Sequence, residues 1–316
     1  MKTIADCARR VPLGEIRGVL ERAGHKVESE TGVIRFQGRF GPAEIRVLAP
    51  QEPPLDECQM EAVIVARTRL PDSVPAGNPD TCAYLNCAAA LGALANVNGA
   101  PWVVSRLTTY EGEHAWGLHG LLVARAAAIS PDALFPGKQA SSGSRDDREA
   151  WPEADFAQLQ ARFGGRFHCS TWESSFTAEF ALRNGSGAAA LGDEHTALLT
   201  MKSVGRHPAL GLGLQVLLEL PHRFDRIDRL PRLIADLNAW EAQPGDMVPH
   251  YGAWCYGHLE NPAYTAFYPR DLWVEGLATK VFTWMLARAR MADGFLAARG
   301  VKAGHNEACR RSPYGR

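Results

Sequence analysis

Residues 26–48, KVESETGVIRFQGRFGPAEIRVL, predict three strands that follow one another in an antiparallel sheet. Apolar and polar side chains alternate in three segments of this stretch, which is the pattern of strands with one buried face. The separators Thr31-Gly32 and Gly41-Pro42 favour tight turns. The three segments are 26–30, 33–40 and 43–48.

Outward from this sheet, the first half of the chain predicts further strands and three helices. A strand rich in β-branched residues ends at Leu70-Pro71, and Asn78-Pro79 is typical of a helix N-terminus. The predicted elements are a helix at 13–24, the three strands above, a strand at 61–70, a helix at 78–95, a strand at 102–109 and a helix at 113–129.

The second half predicts the same order of elements. Short motifs recur at matched places, and in each half a Trp follows a Leu-Asn dipeptide with the same interval of 16 residues from the Asn. These matches predict a tandem repeat. The predicted elements are helices at 155–163, 225–240 and 272–297 and strands at 166–172, 175–183, 195–202, 212–220, 251–258 and 263–268. The matched motifs are Leu70-Pro71 with Leu220-Pro221, Leu85-Asn86 with Leu237-Asn238, and Trp102 with Trp254.

Composition divides the chain between the two halves. Residues 136–150 are rich in Gly, Ser and charged side chains and have no apolar periodicity, so this segment cannot bury enough surface to order itself. The predicted organisation is a first α+β repeat at 1–135, a linker at 136–154, a second α+β repeat at 155–300 and a basic tail at 301–316.

The order of elements, with Leu85-Asn86 and Leu237-Asn238 at the ends of the two middle helices, resembles the fold shared by type III secretion chaperones and the YbjN family. The resemblance covers about 13–133 and 155–297. It implies an α+β architecture in which each repeat is a twisted antiparallel sheet with helices packed mainly on one face. Secretion chaperones of this fold are homodimers, so the resemblance implies that the two repeats pair within the chain as a pseudo-dimer.

Charge and hydropathy argue against several classes of protein. Lys and Arg number 34 against 35 Asp and Glu, which gives no electrostatic reason to expect nucleic-acid binding. No apolar run approaches the roughly 20 residues that cross a bilayer, and residues 1–6 lack the layout of a secretory signal. The seven cysteines are scattered without a Cys-x-x-Cys motif, so we expect free thiols and a cytoplasmic protein.

An enzyme with a site around 250–258 is the alternative, and it would need His250, Cys255 and His258 to converge in one pocket with Tyr251 and Glu260. On an extended strand the two histidines would lie about 26 Å apart, too far to bind one metal ion. The sequence contains no His-Glu-x-x-His motif, no Gly-x-Ser-x-Gly elbow and no phosphate-binding loop. We therefore predict no catalytic residue, no metal and no cofactor.

Aromatic side chains are concentrated between 254 and 284. Most are expected in the core, but Trp254, Tyr256, Tyr264 and Phe267 would form a protein-binding surface if the sheet face that carries them is exposed. The sequence therefore predicts a non-enzymatic protein-binding, chaperone-like or regulatory module with a protein partner, and it leaves a homo-oligomer open.

Overall fold

The computed structural model shows two antiparallel sheets with helices packed against them, which confirms the α+β class. Most of the predicted linker, most of the predicted helix at 113–129 and the tail from residue 302 lie outside the described residues. The described residues are 11, 13–49, 60–110, 126, 131, 134, 150–182, 195–222, 227–243, 248–258 and 260–301.

The first sheet has six strands in the order β1-β2-β3-β4-β6-β5, and all neighbours are antiparallel. The stretch that was predicted to form three strands does so, and it supplies β1 to β3. The elements are α1 (Leu13–Arg22), β1 (Val27–Glu30), β2 (Val33–Gln37), β3 (Pro42–Leu48), β4 (Met60–Arg69), α2 (Pro79–Asn86), β5 (Ala93–Val97) and β6 (Ala100–Tyr110).

The second sheet has the order β7-β8-β9-β10-β12-β11, which is the order of the first sheet with each strand replaced by its counterpart. The helix α3 begins within the segment that was predicted to be linker, and Trp151 just before it is buried. The elements are α3 (Glu153–Phe163), β7 (His168–Trp172), β8 (Ser175–Leu182), β9 (His195–His207), β10 (Gly211–Glu219), α4 (Leu230–Glu241), β11 (Ala253–Tyr256), β12 (Pro262–Pro269) and α5 (Leu277–Ala297).

The two Leu-Asn dipeptides have the same structural role in both sheets. The buried Asn86 side chain donates to the Leu94 carbonyl and accepts from the Leu94 amide, at 3.1 and 2.8 Å. Asn238 makes the same pair of bonds with Trp254, at 2.9 and 2.8 Å. Each Asn therefore ties the end of the middle helix to the strand that follows it.

These bonds correct two predictions from the sequence. The first middle helix ends at Asn86 instead of near residue 95, because Asn86 holds Leu94 at the start of β5. Trp254 is the counterpart of Leu94, whereas Trp102 lies on β6 and has Ala263 of β12 as its counterpart by strand register. The equal interval from the Asn to Trp102 and to Trp254 is therefore a coincidence. The match of Leu70 with Leu220 holds, because their backbone amides donate to the carbonyls of Pro101 and Pro262, each at 3.0 Å.

The two sheets are joined by segments that cross from one to the other. His250, which precedes β11, pairs with Arg106 of β6 through two backbone hydrogen bonds of 2.7 and 3.1 Å. Ala90, which precedes β5, accepts a backbone hydrogen bond of 3.2 Å from Phe267 of β12. Arg106 and Phe267 occupy counterpart positions by register, so the crossing is reciprocal.

Aromatic packing fixes the long helix α5 on the second sheet. Phe282 stacks on Phe163 of α3 at a centroid distance of 4.3 Å and meets Phe176 of β8 edge-on at 5.9 Å. Val281 and Met285 of α5 are fully buried beside it, as the apolar stripe of the helix predicts.

Among the described residues, none of the helices has the length and apolar character needed to span a membrane.

Replacing Asn238 by Ala should destabilise the fold by about 2–4 kcal/mol, because the backbone groups of Trp254 then lose both partners while remaining buried. Urea unfolding measures the change. The matched control is Asn96→Ala: this exposed Asn accepts one turn hydrogen bond from Gly99, and we expect a loss below about 1 kcal/mol. Equal losses at both positions would contradict a special role for Asn238.

Candidate functional site

The predicted aromatic surface is not open to solvent. Trp254, Tyr264 and Phe267 are buried, at 4% exposure or less, and Tyr256 is partly buried. Phe267 packs against His207 at a centroid distance of 5.2 Å, and Tyr256 donates a hydrogen bond of 2.9 Å to Asp80 on α2. These aromatic side chains are used in the core and in the contact between the two halves.

A buried carboxylate, Glu241 at the end of α4, organises the crossing at His250. It accepts hydrogen bonds from Nδ1 of His250 at 3.0 Å and from the indole of Trp254 at 2.8 Å. Both of its oxygens accept from Nε of Arg288, at 3.0 Å, and this guanidinium also stacks on Tyr264 at 3.8 Å. A single carboxylate thus connects α4, β11 and α5.

The first half contributes Arg106 to the same buried network. Its Nε donates to the Glu241 carbonyl at 2.8 Å, one terminal nitrogen donates to the Val248 carbonyl at 3.0 Å, and the other donates to Thr108 at 3.2 Å. Arg106 and His250 therefore meet through both backbone and side-chain bonds, so the network holds the two sheets together.

The charges in this network are set by their surroundings. Burial raises the pKa of Glu241, but the Arg288 charge and the hydrogen bond from His250 outweigh that effect and lower the pKa to about 2. Burial lowers the pKa of His250 and outweighs the attraction of Glu241. His250 is thus neutral with its proton on Nδ1, which leaves Nε2 without a hydrogen-bond partner.

The residues of the alternative enzyme site do not converge in one pocket. His250 and Tyr251 are fully buried, whereas His258 and Glu260 are exposed, and β11 covers only Ala253–Tyr256. Cys255 is buried and its neighbour is a second thiol, Cys87. In the part of the chain that the structure describes, no group of three His, Cys, Asp or Glu residues could hold a metal ion.

A solvent-accessible cluster lies on the outer face of the first sheet, and we call it the arginine face. Its arginine side chains are between 28% and 42% exposed and follow neighbouring strands, with a single carboxylate among them. Two of the guanidiniums stack over Trp102, at 4.7 and 5.7 Å from the ring centroid. The arginine face consists of Arg35, Glu44, Arg46, Arg67, Arg69 and Trp102.

Glu44 is shared by two cations of this face. Arg46 donates to its Oε1 at 2.7 Å, and Nε of Arg67 donates to the same oxygen. Burial raises the pKa of Glu44, but Arg46 and Arg67 outweigh it, so the pKa lies below its usual value and the carboxylate stays ionised. Arg35 and Arg69 bond instead to Glu30 and Asp72, which are 67% and 82% exposed at the margin of the face.

Two shallow depressions flank the ion pairs of Glu44. One, of about 360 Å³, is lined by Arg35, Phe36 and Trp102 among others, and the other, of about 410 Å³, lies between the sheet and α4. The second depression is lined by Arg46 and Arg67 from the first sheet and by residues 239, 242 and 243 of the second half. Both halves therefore contribute to the surface around the arginine face.

The second sheet has no such face at its counterpart positions. We compared positions that are equivalent by strand register in the two sheets. In place of the arginines of β2 and β4 the second sheet has uncharged or acidic side chains, and in place of Trp102 it has a small side chain. One cation, Lys202, remains, as the counterpart of Arg46. The counterparts of Arg35, Glu44, Arg46, Arg67, Arg69 and Trp102 are Thr177, Thr200, Lys202, Leu217, Glu219 and Ala263.

The arginine face was not predicted from the sequence. The signal was present in the alternation of Arg35 with Ile34 and Phe36 and of Arg46 with Ile45 and Val47, which assigns the arginines to the polar side of their strands. The register between strands that are distant in sequence was missing, because alternation alone does not align Arg67 with Glu44.

No protein-family model matches the chain, and no curated protein or solved structure matches it either. The resemblance to the YbjN family and to secretion chaperones therefore stays a prediction that rests on the order of elements and the two Leu-Asn dipeptides.

Glu241→Gln should cost about 3–5 kcal/mol of unfolding free energy at pH 7, since Arg288 then stays buried without its counter-charge. The folded-state pKa of Glu241 is depressed from 4.5 to about 2, so its contribution is complete above pH 5 and falls as the pH drops toward 2. Urea unfolding at pH 7 and pH 3.5 should show the difference between wild type and variant narrowing at the lower pH.

Glu275→Gln is the control for this prediction, because Glu275 is exposed just before α5 and should change stability by less than about 0.5 kcal/mol. A difference between wild type and Glu241→Gln that stays constant between the two pH values would show that the charge of Glu241 does not stabilise the fold.

Proposed function

We propose that the chain is a non-enzymatic protein-binding module made of two related repeats that pair as an intramolecular pseudo-dimer, and that the arginine face binds an acidic, extended segment of a partner protein. The observation that carries the proposal is the arginine face itself: four partly exposed guanidiniums and one indole on a sheet, flanked by two depressions.

The pairing of the repeats is supported by the reciprocal crossing. His250 bonds to the first sheet and Ala90 bonds to the second, at counterpart positions of β6 and β12. Helices α2 and α4 also contact each other and the strand that follows the partner helix. This arrangement has the approximate twofold relation of a dimer of like units, formed inside one chain.

The chemistry of the arginine face favours carboxylates as ligands. Guanidiniums bind carboxylates in a bidentate manner, and Glu44 provides one carboxylate for both Arg46 and Arg67. The exposed pairs of Arg35 with Glu30 and Arg69 with Asp72 are of a type that contributes little, so a partner carboxylate can replace them at small cost. Trp102 offers an apolar and aromatic surface beside these charges.

The dimensions of the face suit a short extended segment. Strands β2, β3, β4 and β6 are neighbours in the sheet, so Arg35 and Trp102 are separated by three strand spacings, about 14 Å. Four or five extended residues cover that distance at about 3.3 Å per residue. The enzyme alternative has less support, because His250 is buried in a network that joins the sheets and has no access to a substrate.

We also propose the cytoplasm as the location of the protein. Cys82, Cys87, Cys169 and Cys255 are free thiols in the structure, which is the state that a reducing compartment maintains.

Arg46→Glu should weaken the binding of an acidic peptide by at least tenfold, because it removes a guanidinium and places a second carboxylate beside Glu44. Fluorescence polarisation with a labelled hexapeptide of acidic residues and one phenylalanine measures the affinity, at two salt concentrations. A peptide with lysine in place of each acidic residue serves as the ligand control.

Lys202→Glu is the matched protein control, because Lys202 is the counterpart of Arg46 on the second sheet. This substitution changes the net charge of the protein by the same amount as Arg46→Glu. We expect this variant to bind the acidic peptide as the wild type does, within about twofold apart from the small effect of net charge. Equal losses in both variants, or equal binding of the acidic and lysine peptides, would refute the arginine face as the binding surface.

A further inference from the structure

Two thiols meet where the two halves contact each other. Cys87 follows the last residue of α2 in the first half, and Cys255 lies on β11 in the second half. Their side chains interact where α2 and β11 contact each other, and each thiol also donates a hydrogen bond to a nearby carbonyl, Cys87 to Ala83 at 3.5 Å and Cys255 to Tyr256 at 3.7 Å. Cys87 is exposed, whereas Cys255 is buried behind it. The pair therefore joins residues that are distant in sequence and belong to different sheets.

We propose that Cys87 and Cys255 are a redox-active pair whose disulfide cross-links the two halves of the chain when a peroxide oxidises it. Cys87, at the surface, is the thiol that reacts with the oxidant, and the buried Cys255 resolves the product. The disulfide would close the contact between α2 and β11, next to the hydrogen bond that Tyr256 donates to Asp80.

The surroundings of the two sulfurs assign these roles. The interaction with the Cys255 thiol outweighs burial and lowers the pKa of Cys87 to about 7, and the backbone at Tyr256 contributes in the same direction. The hydrogen bond to Cys87 and burial raise the pKa of Cys255 well above its usual value. The thiolate is the reactive form of cysteine, so near neutral pH Cys87 is the nucleophile of the pair.

The reaction balances with one peroxide and two thiols. The Cys87 thiolate attacks one oxygen of hydrogen peroxide, the O–O bond breaks, and a sulfenic acid and hydroxide form. The Cys255 sulfur then attacks the Cys87 sulfur, an S–S bond forms, and the sulfenic oxygen leaves as water with the proton of the Cys255 thiol. The hydroxide takes up the proton that the Cys87 thiol released when it ionised, so both sulfurs are oxidised, the peroxide is reduced, and two molecules of water are formed in total.

Packing alone does not require sulfur at these positions. The counterparts of Cys255 and Cys87 under the relation between the two halves are Ala95 and Ala239, which both line the depression between β5 and α4. Alanines therefore occupy the contact between β5 and α4, and thiols occupy only the equivalent contact between β11 and the end of α2. Cys82, which lies within α2, differs chemically: burial raises its pKa to about 11, so it stays a thiol.

Peptide mapping of the full chain tests the proposal. The reduced protein is treated with one equivalent of hydrogen peroxide, free thiols are alkylated, and a digest without reductant is analysed by mass spectrometry. We expect a peptide pair joined through Cys87 and Cys255, about 2 Da lighter than the sum of the two thiol peptides, that dithiothreitol separates. Cys82→Ala should give the same pair in the same yield.

Cys255→Ala distinguishes the two roles, because Cys87 then has no resolving thiol and should be trapped as a sulfenic acid by dimedone. Circular dichroism verifies that this variant is folded. Alkylation of wild-type Cys87 by iodoacetamide should also rise with pH around a midpoint near 7, and Cys255→Ala should shift that midpoint upward. Recovery of Cys87 as a free thiol after oxidation, or its pairing with a cysteine other than Cys255, would overturn the proposal.

Discussion

The reciprocal crossing between the sheets is the constraint on which the rest of the structure depends. Each sheet lacks a full partner along the edge of its β6 or β12 strand, because β5 and β11 are short. His250 supplies two backbone hydrogen bonds to β6 of the first sheet, and Ala90 supplies one to β12 of the second. Since each of these residues precedes a strand of its own sheet, each sheet receives backbone hydrogen bonds from the chain segment that leads into the other sheet. This dependence explains why one apolar core contains side chains from both halves.

The two halves have the same order of strands but differ in their chemistry. The segment between the buried Asn and its backbone partner spans 8 residues in the first half and 16 in the second. The longer segment holds Val248 and His250, which meet Arg106 next to Glu241, whereas the shorter one makes its crossing at Ala90. On the outer faces of the sheets the charged residues lie in the first half, because the arginine face belongs to the first sheet. Charge stabilises the contact in one half and is presented to solvent in the other.

Local patterns in the sequence were sufficient for much of the fold. Alternation and turn residues identified β1 to β3, the Asn78-Pro79 start of α2 is correct, and the Leu-Asn dipeptides mark equivalent points. The error at Trp102 arose because spacing was compared across segments of unequal length. The Glu241 network and the arginine face could not be predicted, since both depend on which strands become neighbours. That information resides in contacts between residues that are distant in sequence, such as Arg67 with Glu44, 23 positions apart, and Arg106 with Glu241, 135 positions apart.

Amide hydrogen exchange at His250, followed by NMR, tests the central claim most directly. The His250 amide donates to the Arg106 carbonyl of the other half, so its protection reports on the contact between the sheets. If the halves form one cooperative unit, this amide exchanges as slowly as that of Met201 in the centre of the second sheet, with the free energy of global unfolding. Exchange of His250 at the rate of an exposed turn, while Met201 stays protected, would show that the two sheets are independent.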